Sequence, residues 1–565
     1  MSLLTRASTS QKALILLWVV ALVSLAWWVG STPETVLRDE LRHLQFWALE
    51  AQFALLLFTT IVGLHALVSS LKVPRSAWLA PLALSLGVLA FIVTVVPRTN
   101  RIFYDEQIYQ SIGQSLADRR LAQMCNEGSV QGGHLECQRG EYNKQPYGYS
   151  YLLSIGYRLF GVSESLAHVV NAILAAALVW AVFLLTLTLF ADVRGATFAA
   201  LITTLLPEHL LWSHTAAAEP SAVLTSVVAL LAIVSFVRLR TDATLLWATA
   251  ATAFSLQFRP ESVLVLVCIS LALVLWAREE WRTPRLWWAA LLGLGLCAVL
   301  VAHLMAVRNE GWGTTGQRLS LDYVWTNLLV NGRFYLWDER FPAVVSLLAL
   351  VALITVRTKA TLLMAAWFLT FWSIFLFFYA GSYDYGADER YSLITYPSVS
   401  ILAGIGAAQL CTWLARRWTA SPATTIVVLA LGVQFLWSLP LVRSVGEEAW
   451  AARADVTFAQ RIARTLPDDA IVLTHNPNMF LVWGVNAGQL SLATSDPDYV
   501  RDALLQRYPG GVYVHWSFWC NVTDPVQTAF CRNALSDYAT DKVADQAVRD
   551  YRFAFYKIRT STTVP

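Results

Sequence analysis

Long apolar runs recur through the chain and limit its possible folds more than any other feature. The stretch AWLAPLALSLGVLAFIVTVV at 77–96 carries no charge over its whole length. A helix needs roughly 20 such residues to cross a bilayer, and only a helix or closed barrel pairs every backbone group there. On that rule the sequence predicts about thirteen spans, near 12–29, 52–70, 77–97, 164–190, 195–212, 220–237, 243–258, 261–277, 286–306, 342–356, 360–380, 392–414 and 423–440. The expected fold class is a mainly α, polytopic membrane protein. Composition agrees, since 56% hydrophobic and 14% charged residues leave more apolar surface than a soluble core could hide. The first run has no small-residue cleavage site behind it, so it is expected to be a retained helix and not a signal peptide.

The net charge of +3 is spread along 565 residues with no basic tract, so nucleic acid is not an expected partner. Charge reports orientation instead. With a cytoplasmic N-terminus, the short inner turns carry Lys72 and Arg75, Arg194, Arg238 and Arg240, Arg278, Arg282 and Arg285, Arg357 and Lys359, and Arg416 and Arg417. The longer segments 98–163, 307–341 and 443–565 then lie outside, in the plasma or inner membrane's extracytoplasmic compartment. Four of the seven cysteines fall in those segments as two close pairs, Cys125 with Cys137 and Cys520 with Cys531. Disulfides persist in such a compartment, and local pairing is expected.

The organisation predicted is an N-terminal helical block at 1–97, a structured first loop at 98–163, a membrane body at 164–442 and a small α/β domain at 443–565. In the loop, Ile108, Ile112 and Leu116 have helical spacing. YGYSYLLSIGYRLFGV reads as an amphipathic helix in the interface. The tail alternates β-rich AIVLTH, GVYVHWS and FAFYKI with helical DVTFAQRIARTL and DYVRDALLQRY.

Asp105 and Glu106, in YDEQIY, are placed on the outer face, together with Lys144, Glu219, Arg259, Glu261 and Arg390. Ionisable groups so close to hydrocarbon pair structurally or serve a site. Cations can hold a phosphate and a carboxylate can take a proton from a hydroxyl, which suits chemistry on an anionic lipid. Tyr and Trp on the same side (Trp312, Trp325, Trp337, Trp516, Trp519) suit either sugar stacking or interface anchoring.

The succession DE, NKQPYGYSYLLSIGYRLFGVSE, AEPSAVL, FRPES and ADERYSLITYP resembles the GT-C superfamily of polyprenyl-phosphate-sugar glycosyltransferases. It is most similar to the branch of protein O-mannosyltransferases and lipid A aminoarabinose transferases. There an Asp-Glu pair precedes a Lys-Pro-Pro motif and a juxtamembrane helix ending in Phe-Gly-Val-Ser-Glu, as in Phe160-Gly161-Val162-Ser163-Glu164. The family's Lys-Pro-Pro reads Lys144-Gln145-Pro146 here, and three spans precede the Asp-Glu loop where the family usually has one. The resemblance implies that Asp105 is catalytic or orients the acceptor, with Glu106 as its partner. It makes Lys144, Arg259 and Arg390 the donor-phosphate residues, with Tyr104, Tyr109, Glu219, Glu261 and Tyr391 as further polar site residues.

The reaction implied is an inverting single displacement from a polyprenyl-monophosphate sugar to a glycan, lipid or protein acceptor. No cofactor is expected; an Asp-Glu pair could bind a divalent metal, but none is favoured. Two rivals stand beside it. A lipid-linked sugar flippase or other transporter should place polar or broken helices at mid-membrane, whereas these spans are apolar. A polysaccharide polymerase or ligase shares the donor chemistry.

Overall fold

The computed structural model describes residues 9–559, apart from 312–315, 386, 417–419 and 448. Trp312 and Arg417 lie outside the described residues. The chain divides into two compact units, one of Met1–Thr99, Lys144–Tyr149 and His168–Val445, the other of Asn100–Asn143, Ser150–Ala167 and Gly446–Pro565.

The first unit is helical. Among the described residues of the whole chain, nine helices are long and apolar enough to cross a membrane, with shorter apolar helices at Val193–Leu205, Pro260–Trp276 and Ala343–Thr355. Large apolar side chains such as Phe58, Ile61, Leu79 and Trp437 are exposed on them, which water would penalise and lipid does not. The chain is an integral membrane protein.

Each apolar run read from the sequence falls on helix, but only nine of the thirteen lie on helices of spanning length among the described residues, and two runs are bounded differently. The run expected to begin near 52 is the second half of one helix, Glu34–Ser70. Its first turns are too charged to read as a span, yet Arg38 pairs with Glu34 one turn away at 2.7 Å and with Glu310 at 2.8 Å. The run at 195–212 is two helices, Val193–Leu205 and Pro207–Trp212. Pro207 lacks an N–H and holds Leu206 in the extended region (φ −74°, ψ 120°), which stops the first helix.

Small residues let these helices touch. A Cβ on Gly406 would meet the Leu348 carbonyl oxygen at 1.8 Å, and one on Gly404 the Ala199 nitrogen at 2.4 Å. The Tyr396–Ala415 helix therefore packs backbone to backbone on Ala343–Thr355 and Val193–Leu205.

The second unit is built on one seven-stranded sheet: β1 (Met124–Gln131), β2 (His134–Glu141), β3 (Ala470–Thr474), β4 (Asn486–Gln489), β5 (Gly511–Trp516), β6 (Thr540–Val548) and β7 (Tyr551–Ile558). Its order is β2-β1-β4-β3-β5-β7-β6. β3 pairs in parallel with β4 and β5, and the outer strands are antiparallel. The first loop and the tail, separate segments in the sequence reading, share this sheet because β1 pairs with β4 through Glu127 with Gly488 and Gly128 with Ala487. The β1–β2 turn is Gly132-Gly133, both at positive φ (58° and 83°), a hairpin turn only glycine takes easily. The helix Asp105–Arg119 buries Ile108, Ile112 and Leu116, as their spacing predicts. Both cysteine pairs are disulfides, with Cα separations of 5.8 Å for Cys125–Cys137 and 5.7 Å for Cys520–Cys531.

Candidate active site

Two groups of the residues singled out by sequence assemble, one in each unit. In the second unit, Asp105 and Glu106 open the Asp105–Arg119 helix but face different tasks. The Glu106 carboxylate is buried, and its Oε1 accepts hydrogen bonds from the backbone N–H groups of Arg101 and Ile102, each at 2.7 Å. It ties down the turn that enters the helix, so the geometry makes Glu106 a holder of the loop. Asp105 is half-buried at the first helical position. Tyr109 is buried one turn on.

Tyr104 just before it adopts φ 86°, ψ −62°. For a side chain other than glycine this conformation costs of order 1–3 kcal/mol and persists only where surroundings impose it. The Tyr104 hydroxyl donates to the His475 carbonyl at 3.5 Å with the Gln489 side chain beside it, while burial raises its pKa. Its ring meets Trp519 edge-on at 6.3 Å. Half-burial, with His515 nearby, pushes the pKa of His475 down to about 4, so it is neutral at physiological pH.

In the first unit, Glu219 opens the Glu219–Leu239 helix, with Pro220 next in sequence. Arg259 precedes Pro260 and is held extended (φ −144°, ψ 148°), so its side chain leaves the chain where one helical segment ends and the Pro260–Leu264 turn begins. Arg259 Nη1 donates to Glu219 Oε1 at 2.6 Å and Nε donates to Glu261 Oε1 at 2.7 Å. Arg390 Nε lies 3.3 Å from the same Glu219 oxygen. Both guanidinium groups lie over the Tyr391 ring, at 5.6 and 5.0 Å, and Phe375 stacks on that ring at 4.5 Å. Glu219, Arg259, Glu261, Arg390 and Tyr391, scattered in sequence, thus form one cluster in which two carboxylates orient two cations.

Lys144 belongs to the same unit. Its Nζ donates to the Gly311 carbonyl, its own backbone bonds to His303, and Gly148 N donates to Gln257 O at 2.7 Å, holding 144–149 against the segment that carries Arg259. Pro146 and Arg259 line a common cavity of about 470 Å3, otherwise walled mostly by apolar side chains including Ile233, Leu266, Leu294 and Leu304. A cation at one wall of an apolar chamber suits an amphiphile with an anionic head.

Among the described residues, one set could offer three metal-ligand atoms close together, His475, Cys520 and Cys531. The two sulfurs are joined to each other, which removes their thiolates as ligands. Sequence reasoning missed Gln489, His475 and the role of Trp519 at Tyr104. They lie far along the chain from it, and no local spacing links them.

The family model described as dolichyl-phosphate-mannose-protein mannosyltransferase matches residues 144–303, which takes in Lys144, Glu219, Arg259 and Glu261. The fold is that of ArnT from Cupriavidus metallidurans, solved bound to undecaprenyl phosphate, with 15% identity and a TM-score of 0.52 over 87% of this chain and 100% of that one. The Archaeoglobus fulgidus oligosaccharyltransferase, in complex with Zn and sulfate, aligns at 11% identity and a TM-score of 0.49 over 77% of this chain and 67% of that one. No curated protein matches the chain in sequence. The resemblance to GT-C glycosyltransferases carried by the motifs is borne out by the family match and the shared fold, and with it the reading of the chain as a sugar-transferring enzyme.

Proposed function

We propose that this GT-C-like chain transfers a sugar from a polyprenyl-monophosphate donor to an acceptor hydroxyl on the extracytoplasmic side of the membrane, with inversion at the anomeric carbon. The observation that carries the reading is the apolar cavity with Arg259 in its wall: the prenyl tail takes the apolar chamber and the phosphate meets the cations. Arg259, Arg390 and Lys144 hold the phosphate and stabilise its charge as it leaves. Asp105 accepts the proton of the acceptor hydroxyl while the new oxygen–carbon bond forms and the bond from anomeric carbon to phosphate oxygen breaks. Polyprenyl monophosphate departs, and no step is assigned to a metal.

Purified protein should release polyprenyl monophosphate from at least one member of a panel of polyprenyl-phosphate sugars, leave nucleotide sugars untouched, and keep its rate in the presence of a chelator. Consumption of a nucleotide sugar, or indifference to every lipid-linked donor, would overturn the reading.

The proposed orientation has a cytoplasmic N-terminus and an extracytoplasmic tail, because the short basic turns set it and the two disulfides suit an oxidising compartment. A reporter active only in the cytoplasm, fused after the last residue, should be silent. A signal from that fusion reverses the topology.

A further inference from the structure

Open sheets with parallel strands take their ligands in the crevice outside the strands' carboxyl ends, where neighbouring connections part to opposite sides. In the second unit that place is beyond β3, which runs between its parallel neighbours β4 and β5. The crevice there is lined by Thr474, His475, Asn476, His515, Ser517 and Trp519. Its floor is stiffened by a buried chain in which Asp455 Oδ1 lies 2.9 Å from His515 Nε2 and His515 Nδ1 lies 3.0 Å from Thr474 Oγ1. Such a crevice would be expected to hold a small molecule. It holds the loop before Asp105 instead.

Tyr104 and Gln107 line it too. Each of the three parallel strands supplies one grip on Tyr104. His475, the residue after β3, gives its carbonyl oxygen to the Tyr104 hydroxyl. Gln489, the last residue of β4, brings its side chain beside the same hydroxyl. Trp519, three residues beyond β5, meets the ring edge-on. Gln107, one helical turn on, accepts a hydrogen bond from the Asn476 side chain. From the other side, Glu106 fixes the backbone of Arg101 and Ile102.

We infer that Tyr104 is a positioning residue for the transfer reaction, and that the C-terminal part of the chain serves the site by clamping Tyr104 in its parallel-strand crevice. The inference rests on Asp105 being the base. Tyr104 is held at positive φ, where an unclamped tyrosine would relax to an ordinary conformation and swing the next residue, Asp105, away. The tail's ligand crevice has become a socket for the active-site loop.

The test separates the clamp from the chemistry. Tyr104→Gly accepts the positive φ without strain but removes every grip, and Trp519→Ala removes one wall while leaving Tyr104 in place. Amide hydrogen exchange over 101–108 should quicken by about 10-fold or more in both, with the rest of the sheet protected as in the wild type, because only the local opening has become easier. In transfer assays kcat should fall by about 10²-fold with the donor KM unchanged, the cost of misplacing a reacting group by roughly an ångström. Trp519→Phe should restore most of both. Unchanged exchange in both variants, or a Tyr104→Gly enzyme as fast as the wild type, overturns the inference. Quickened exchange in a protein that uses no lipid-linked donor supports the clamp and overturns only the proposed function.

Discussion

Asp105→Asn should reduce sugar transfer by about 10²–10⁴-fold, the usual worth of a positioned general base, while the protein folds and binds donor as the wild type does. The substitution keeps the size of the side chain at the first position of the Asp105–Arg119 helix. Its charge at that position contributes about 0.3–1 kcal/mol through the helix dipole, and a thermal melt separates a loss of rate from a loss of fold. Glu106 cannot stand in for it, since its carboxylate is committed to the backbone N–H groups of Arg101 and Ile102. Turnover measured with a saturating polyprenyl-phosphate sugar decides the matter, with a thermal melt as the control. A folded Asp105→Asn enzyme at near wild-type rate removes Asp105 from the mechanism.

The membrane helices were legible because an apolar run of bilayer length has few other uses. What escaped the sequence was decided by partners distant along the chain. The first turns of Glu34–Ser70 read as polar loop, since the ion pair that helps hold them is with Glu310. The hairpin at 124–141 is too polar to announce strands apart from its Gly132-Gly133 turn, and its pairing with β4 joins residues more than three hundred positions apart. A similar division holds in the site. Asp105 and Lys144 were singled out by their place on the outer face and by motif resemblance. The convergence of Arg259 and Arg390 on one Glu219 oxygen has no spacing rule behind it. Tyr104 was singled out by its place beside Asp105, but its positive φ could not be read, because a tyrosine gives no sign of a conformation that glycine would betray.

Arg259→Ala and Glu219→Gln should separate phosphate binding from cluster integrity. Both side chains are nearly buried, at 11% and 5% exposure, and their contact is 2.6 Å. Removing one partner of such a pair leaves the other charge in a poor solvent, at a cost of about 3–5 kcal/mol where no substitute is at hand. In Arg259→Ala, Glu219 retains Arg390 at 3.3 Å, so stability should fall toward the lower end of that range, but the cation in the cavity wall is gone. Binding of polyprenyl phosphate should weaken sharply. In Glu219→Gln the two guanidinium groups lose the carboxylate they share, and stability should fall at least as far. The local charge becomes more positive, however, so the folded fraction should bind polyprenyl phosphate as tightly as the wild type or tighter. Thermal melts with and without that lipid give both quantities, because a ligand stabilises the state it binds in proportion to its affinity. If Arg259→Ala is stabilised by the lipid as strongly as the wild type, the cluster is a structural clasp of the membrane helices and the phosphate is held elsewhere.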